Sequence, residues 1–140
     1  MIGTDNGEAI SWVQSFQQEF EKLQAEELVT KFFSPSAQLR SCNDKELVGR
    51  DSILQNYKNT FPLMKSIRHK LNRVDVCGDV IYAQSMVTYV VVGDSDANAI
   101  ELPSLAVFER PTGQEQLTSL ELFMDLSPAI QRLATVISKK

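Results

Sequence analysis

The side chain best suited to acid–base chemistry is His69, the only histidine in the chain. It lies between Ile67 and Leu71, in a segment where apolar and polar residues alternate as they do along a half-buried strand. We expect the imidazole to lie on the apolar side of that strand. With an unperturbed pKa of about 6.5, it could act there as a general acid or base. A buried neutral histidine bonded to the backbone is the alternative interpretation.

Asp125 and Arg40 are two further candidates for a catalytic role. Asp125 ends the last predicted strand, and a carboxylate forced into an apolar cavity would have a raised pKa and could carry a proton. Its alternative role is to cap the next helix beside Ser127. Arg40 lies on the first predicted strand, where an inward guanidinium could hold developing negative charge through its fork of donors. A solvated surface arginine is an equally good interpretation.

Several uncharged residues are candidates for lining a ligand pocket. On the longest predicted strand, the residues of one parity include Tyr82, Gln84 and Met86. Asn56 lies on the third predicted helix. Each of them could equally serve in packing, so these assignments depend on whether a pocket exists.

Composition excludes several classes of protein. The 140 residues are 43% hydrophobic and 23% charged, which suits one soluble domain spanning residues 1–140 without a membrane span. The formal net charge of −4 argues against nucleic acid as a partner. Cys42 and Cys77 show neither disulfide-framework nor zinc spacing. We therefore expect no metal, no other cofactor, and a reducing, cytoplasmic location.

The periodicity of apolar residues predicts three helices, then a run of strands, then a final helix. Apolar residues recur every three or four positions in the three N-terminal segments, which is the helical pattern, and the period then changes to two. The predicted helices cover 9–23, 26–32 and 49–61. The predicted strands cover 37–42, 46–48, 66–76, 80–92, 100–110 and 116–126. Ser127 and Pro128 suit the beginning of the last helix.

Four motifs, in this order, extend over most of the chain. They are Val48-Gly49-Arg50-Asp51-Ser52-Ile53, Arg68-His69-Lys70 followed by Gly78-Asp79-Val80-Ile81, Leu102-Pro103-Ser104-Leu105-Ala106-Val107-Phe108, and Phe123-Met124-Asp125-Leu126-Ser127-Pro128. Together they resemble SnoaL-like members of the nuclear transport factor 2 superfamily. The resemblance implies an α+β cone, with N-terminal helices packed on a strongly curved antiparallel sheet around a cavity, a C-terminal helix, and a homodimer.

The resemblance also implies roles for particular residues. Related enzymes place a catalytic histidine on the strand of His69. By similarity to ketosteroid isomerase, Phe123 and Asp125 would face inward together with Glu121, and Leu105 would occupy the position of its catalytic acid. The alternation of the last strand opposes this, because its other face is the more apolar one and would normally form the core. That face consists of Leu120, Leu122, Met124 and Leu126.

These residues lead to one preferred functional hypothesis and two alternatives. The preferred hypothesis is a cofactor-independent isomerase, cyclase or lyase of secondary metabolism, acting on a small apolar polyketide- or terpenoid-like substrate. Asp125 and His69 would move protons, and Arg40 would hold negative charge. Ketosteroid isomerisation itself is excluded, because Leu105 replaces the acid. The alternatives are a non-catalytic module that binds a small ligand or another protein, and an epoxide hydrolase.

Overall fold

The computed structural model describes residues 6–42 and 44–138. This part of the chain contains four α-helices, one short 3-10 helix and six β-strands, in the order that the periodicity predicts. The helices are α1 (Gly7–Glu21), α2 (Ala25–Phe32), α3 (Arg50–Thr60) and α4 (Ser127–Ser138), and the 3-10 helix is Phe61–Leu63. The strands are β1 (Phe33–Ser41), β2 (Leu47–Val48), β3 (Met64–Cys77), β4 (Val80–Val91), β5 (Ile100–Glu109) and β6 (Leu117–Phe123). The predicted α+β class is confirmed.

All of the described strands belong to one sheet, in the order β2-β1-β6-β5-β4-β3. Strands β3 to β6 form an antiparallel meander, whereas β1 runs parallel to β6. The sheet is therefore mixed, with one parallel pair beside the predicted antiparallel strands. After β1 and β2 the chain crosses through α3 to the far edge of the sheet, and the meander then returns so that β6 lies alongside β1 in the same direction.

Aromatic side chains join helix α1 to the sheet. Trp12 and Phe16 are buried on one stripe of α1, and both meet Phe108 of β5 edge-on, with ring centroids 5.1 and 5.2 Å apart. Phe32 of α2 meets the same two α1 rings. Edge-to-face pairs of this kind add to the stabilisation that burial of the rings already provides. They fix α1 across the concave face of the sheet.

Two bulges in β3 determine which of its side chains face inward. The register with β4 shifts between Met64 and Ser66, and again between Leu71 and Arg73. Each extra residue reverses the parity of the side chains that follow it. Between the bulges the odd-numbered residues lie on the concave face, and His69 is one of them.

The β4–β5 loop and helix α4 are joined by an ion pair. Arg132 donates two hydrogen bonds of 2.7 Å to the carboxylate of Asp94. These bonds lower the pKa of Asp94 to about 2. The ion pair places one turn of α4 beside the end of β4, where Ala129 and Leu133 reach the concave side of the sheet.

Candidate functional site

The concave face of the sheet and helices α1, α3 and α4 surround a cavity of about 570 Å³. This volume lies within the range of small-molecule sites, roughly 300–1,000 Å³. Most of the wall is apolar. The apolar side chains that the sheet contributes are Leu39, Leu47, Met64, Ile67, Val87, Val91, Ala106, Phe108, Leu120 and Leu122.

His69 lies in the cavity wall with its ring held by Glu21 of α1. The Oε2 atom of Glu21 lies 3.0 Å from Nδ1 of His69 and accepts the backbone N–H of the same residue at 2.7 Å. The ring of Phe20 meets the imidazole edge-on at 5.8 Å. A carboxylate at Nδ1 favours the tautomer with its proton on Nδ1, so that the lone pair is on Nε2. Within the described residues, no group bonds to Nε2.

Burial controls the charge of this histidine. The side chain is 12% exposed, and the loss of solvent lowers the pKa of His69. The hydrogen bond that His69 donates to Glu21 and the negative charge of that carboxylate act in the opposite direction but do not reverse the shift. His69 is therefore a neutral imidazole at neutral pH, which is the protonation state of a general base.

A second polar contact between helix and sheet lies one turn earlier on α1. The Nε2 atom of Gln17 donates a 2.9 Å hydrogen bond to Oγ of Ser85 on β4. Ser104 lies opposite Ser85 on β5, and its hydroxyl donates a long 3.4 Å bond to the Ser85 carbonyl. All three side chains line the cavity. They form one uncharged polar area in a mostly apolar wall.

Two tyrosines also contribute polar groups to the wall. Tyr57 of α3 stacks on Phe61 with centroids 4.9 Å apart, and Tyr89 lies on β4. Burial raises the pKa of both phenols. Both therefore remain protonated across the physiological range and can donate hydrogen bonds to a ligand.

Solved structures with this arrangement of helices and sheet are numerous, although their sequences differ widely from this one. A candidate SnoaL-like polyketide cyclase from Jannaschia sp. CCS1 is 14% identical, with a TM-score of 0.72 over 89% of this chain and 90% of its own. A Catenulispora acidiphila protein of ketosteroid isomerase-like fold, in complex with trimethylamine, is 15% identical, with a TM-score of 0.73 over 88% and 92%. The epoxide hydrolase/cyclase-like enzyme SalBIII, which has a role in pyran ring formation in the polyether salinomycin, is 11% identical, with a TM-score of 0.71 over 88% and 95%.

The chain has the ketosteroid isomerase-like fold of SnoaL-like and NTF2-like proteins. No protein-family model and no curated protein matches the sequence. At identities of 9–15%, the structural likeness establishes the fold and leaves the activity to be argued from the cavity.

Asp125 does not lie in the cavity wall of this SnoaL-like fold, so its predicted placement beside His69 is wrong. Strand β6 ends at Phe123, and Asp125 lies exposed in the connection to α4. Its Oδ1 accepts the backbone N–H of Ser127 at 3.0 Å, and the hydrogen bonds from Ser127 lower its pKa. Asp125 is the helix-capping residue of the alternative interpretation.

Arg40 and Glu121 lie together on the outer face of the sheet, and their predicted inward orientation is wrong. They are opposite each other on the parallel strands β1 and β6. Arg40 bonds to Glu46 at 3.2 Å and approaches Glu121 at 3.9 Å, and all three side chains are more than one-third exposed. Ion pairs with this exposure contribute little to stability.

Five other predicted site residues also lie outside the cavity. In the cavity wall, the inward side chains are odd-numbered on β4 and even-numbered on β5 and on the second half of β6, so the opposite parities face outward there. The outward residues are Tyr82, Gln84, Met86, Leu105 and Phe123. Asn56 and His69 do line the cavity. The apolar face of the last strand, which includes Leu120 and Leu122, is the inward one.

Residue-type reasoning missed Glu21, Gln17, Ser85 and Ser104. Gln17 and Glu21 are four residues apart, and each follows a phenylalanine of the apolar α1 stripe, so they form the polar edge of that stripe. This spacing was available as a signal. The two serines gave no such signal, because the sequence does not show which face of β4 and β5 is the concave one that lines the cavity.

The residues that the structure describes meet neither the requirements for a metal-ion site nor those for a membrane-spanning helix. Across 6–42 and 44–138, no three histidine, cysteine or carboxylate side chains gather closely enough to hold a metal ion. No helix in those two ranges has both the length and the apolar character needed to cross a membrane.

Proposed function

We propose that this protein is a cofactor-independent isomerase, cyclase or lyase that acts on a small apolar metabolite, with His69 as the general acid and base. The observation that carries the proposal is the imidazole in the wall of an apolar cavity, held at Nδ1 by Glu21. Arg40 and Asp125 have no part in this mechanism, because both lie outside the cavity.

The chemistry that this arrangement supports is proton transfer at carbon. Nε2 of His69 removes a proton from a carbon beside a carbonyl group, and the electron pair of the C–H bond moves toward the carbonyl oxygen. The imidazolium, stabilised by Glu21, then returns the proton to another carbon in an isomerase. In a cyclase the enolate carbon instead attacks a second carbonyl carbon of the substrate, whose π electron pair moves to its oxygen and takes the proton from the imidazolium. In a lyase the enolate expels a leaving group from the adjacent carbon together with the bonding electron pair, and the imidazolium protonates that group. None of these steps needs an oxidant or a reductant.

The apolar wall supports a polyketide- or terpenoid-like substrate of secondary metabolism. A cavity of about 570 Å³ accommodates a molecule of several fused rings better than a small polar metabolite. Two of the similar structures are a candidate polyketide cyclase and an enzyme of polyether ring formation. Both described cysteines are free thiols, which suits a reducing compartment such as the cytoplasm.

Solvent-deuterium exchange tests the proposal without knowledge of the natural substrate. trans-2-Decalone is a fused-ring ketone whose α-protons exchange slowly in neutral water. We expect the protein to accelerate deuterium incorporation beside its carbonyl, as followed by proton NMR. Exchange no faster than in buffer, combined with a ligand-induced rise in Tm, would instead support a non-catalytic binding module.

Substitution of Asp125 by asparagine is expected to leave the exchange rate within about twofold of the wild-type rate. The side chain caps α4 and does not reach the cavity, so only a small loss of helix stability follows. Exchange rates and thermal melts of D125N and the wild type check this expectation. A hundredfold loss of exchange with an unchanged Tm would return Asp125 to the catalytic machinery.

Epoxide hydrolysis is a second candidate, favoured by Asp44 in the cavity wall. A carboxylate there could activate water toward an epoxide carbon. The described part of the wall contains no second aspartate to pair with it, which favours the isomerase proposal. Incorporation of ¹⁸O from labelled water into a diol product distinguishes this candidate, because isomerisation and cyclisation add no water.

We further propose a homodimer that covers the outer face of the sheet. Tyr82, Leu105 and Phe123 expose apolar surface there beside the ion pair of Arg73 and Asp75. An exposed apolar area rimmed by charges is typical of protein interfaces. In a dimer with a twofold axis, the aromatic rings of the two copies would be buried against each other. Arg73 of each copy could then pair with Asp75 of the other copy.

Sedimentation velocity of two aspartate variants tests the dimer. We expect the wild type to sediment at twice the monomer mass, and Phe123→Asp to sediment as a monomer because it would bury an unpaired charge in the interface. Ile137→Asp introduces the same charge at an exposed position on α4, away from the outer face of the sheet, and should remain dimeric. A monomeric wild type contradicts the proposal.

A further inference from the structure

The polar area of the cavity wall is more deeply buried than an incidental patch would be. Gln17 is 8% exposed, Ser85 is 3% exposed and Ser104 is 8% exposed. Burying a polar side chain costs free energy unless its hydrogen bonds are satisfied. Three such side chains from α1, β4 and β5 converge on one place in a mostly apolar wall.

The hydrogen bonds among these side chains leave part of their capacity unused. An amide has two donors and an accepting oxygen, and each hydroxyl can donate one bond and accept two. Within residues 6–42 and 44–138, Gln17 uses one donor, and the Ser85 hydroxyl accepts that bond without donating one. The Ser104 hydroxyl donates only its long bond. Donors and acceptors therefore remain for a ligand, side by side.

The unused groups lie close to the proposed base. Ser85 pairs with Leu71 and His69 pairs with Val87, so Ser85 and His69 are diagonal neighbours on the same face of β3 and β4. Diagonal neighbours in an antiparallel pair lie about 7–8 Å apart. Gln17 and Glu21 match this spacing from one turn of α1. An oxygen bound at Ser85 therefore places its neighbouring carbons within reach of the imidazole.

Among the described residues of the cavity wall, the polar area formed by Gln17, Ser85 and Ser104 has no charged side chain beside it that could neutralise an ionised ligand. The acidic and basic side chains that the described wall contributes, apart from His69, are Asp44 and Lys45. Both belong to the connection after β1, and β1 is three strands from β4 in the sheet. A carboxylate or phosphate at Ser85 would be buried without a partner, which is far more costly than burying a neutral group.

From these observations we infer that Gln17, Ser85 and Ser104 form a subsite for one uncharged oxygen, a ketone or hydroxyl, of the substrate. This inference rests on the proposed function for its catalytic meaning. It restricts the substrate to neutral carbonyl or hydroxyl compounds and excludes acids and phosphate esters at that end. During proton abstraction, the second amide N–H of Gln17 and the Ser85 O–H would donate to the oxygen as negative charge develops.

Three probes of one shape test the subsite by binding alone. They are trans-2-decalone, trans-decalin and trans-decalin-2-carboxylate, with Kd values measured by ligand-observed NMR at pH 7.5. We expect the ketone to bind about tenfold more tightly than the hydrocarbon and the carboxylate to bind most weakly. Equal affinity for ketone and hydrocarbon, or tightest binding of the carboxylate, overturns the inference.

Variants then test which side chains cause the tighter binding of the ketone. Gln17→Leu combined with Ser85→Ala should reduce the ketone affinity to that of trans-decalin, while decalin binding shows that the cavity persists. Ser104→Ala disturbs the fold least, since its bond is long, and should lose about threefold in ketone affinity. Ser66→Ala removes a serine outside the wall and should change nothing. A full preference in both polar variants would place the oxygen elsewhere.

These experiments test the catalytic base and the oxygen subsite independently, so that either hypothesis can be refuted without the other. His69→Gln should reduce exchange by about a hundredfold or more and keep the ketone preference. A wild type that prefers the ketone but does not exchange its protons would refute the proposed enzyme and leave the subsite intact. Deuterium exchange without any preference for the ketone would refute the subsite and leave the proposed enzyme intact.

Discussion

Replacement of His69 by glutamine is expected to reduce deuterium exchange into trans-2-decalone by about a hundredfold or more, the usual effect of losing a general base. Glutamine retains a donor toward Glu21 and nearly the size of the imidazole, so the cavity should persist. The side chain has no lone-pair nitrogen to accept a proton. Exchange by NMR and Kd for trans-2-decalone separate loss of chemistry from loss of binding. An H69Q protein with the wild-type rate contradicts the mechanism.

The pH dependence of that rate gives a second readout of the same site. Burial lowers the pKa of His69, so the base should remain active below pH 6.5 and lose activity only as the pH falls through the lowered value. Glu21 opposes that shift, so Glu21→Gln should move the acid limb to still lower pH. An acid limb that stays in place, or moves upward, would show that Glu21 does not act through the imidazole.

The same shift makes a contribution to stability whose sign is fixed. A histidine with a lowered folded-state pKa binds protons less readily in the folded state than in the unfolded state. Its contribution is therefore complete above about pH 6.5, the unfolded value, and is lost as the pH falls through the folded value. H69Q should show a shallower loss of stability than the wild type over that interval.

Replacement of Phe108 by alanine is expected to lower the free energy of unfolding by about 3–5 kcal/mol, the usual cost of removing a buried phenylalanine. Phe108 is 2% exposed and meets both Trp12 and Phe16 of α1, so its loss opens a void between helix and sheet. Chemical denaturation monitored by circular dichroism checks the value.

Phe123→Ala is the matched control, since it removes the same side chain from the opposite face of the sheet. Phe123 is 49% exposed, and at concentrations low enough to keep the chain monomeric we expect a loss below about 1 kcal/mol. Comparable losses for F108A and F123A would contradict the assignment of inner and outer faces on which the site depends.

The periodicity of the sequence predicts the helices, the strands and their order because each element buries one face and carries the matching spacing. The ends of an element differ from the predicted ends where they are determined by pairing with a strand that is distant in the sequence. Strand β1 begins at Phe33 directly after α2, with Pro35 inside it, and its pairing with β6 is irregular between Phe33 and Gln38. The irregular register accommodates a residue that cannot donate to the ladder.

The site was predicted less well than the fold, and the last strand shows why. Alternation alone identified Leu120 and Leu122 as the buried face, and the structure agrees. Alignment to remote enzymes placed Phe123 and Asp125 inward, and the structure contradicts it for both. A shift of one residue in such an alignment exchanges the two faces of a strand, whereas the apolar pattern is fixed by the chain itself.

The partners of His69 were beyond reach for a different reason. Glu21 is 48 residues from His69 in sequence, and Gln17 is 68 residues from Ser85. Nothing in the local pattern of either segment reports which strand a helix will cross. That crossing follows from packing of Trp12 and Phe16 on the sheet, and it brings the carboxylate to the imidazole only in the folded chain.

The most direct test of the central claim is a ¹⁵N NMR titration of the imidazole, because the chain has one histidine and its signals need no assignment. We predict a neutral ring with its proton on Nδ1, a pKa below 6.5, and a shift of the Nε2 resonance when trans-2-decalone is added. A pKa of 6.5 or above, with an Nε2 resonance that does not respond to the ketone, would contradict the account.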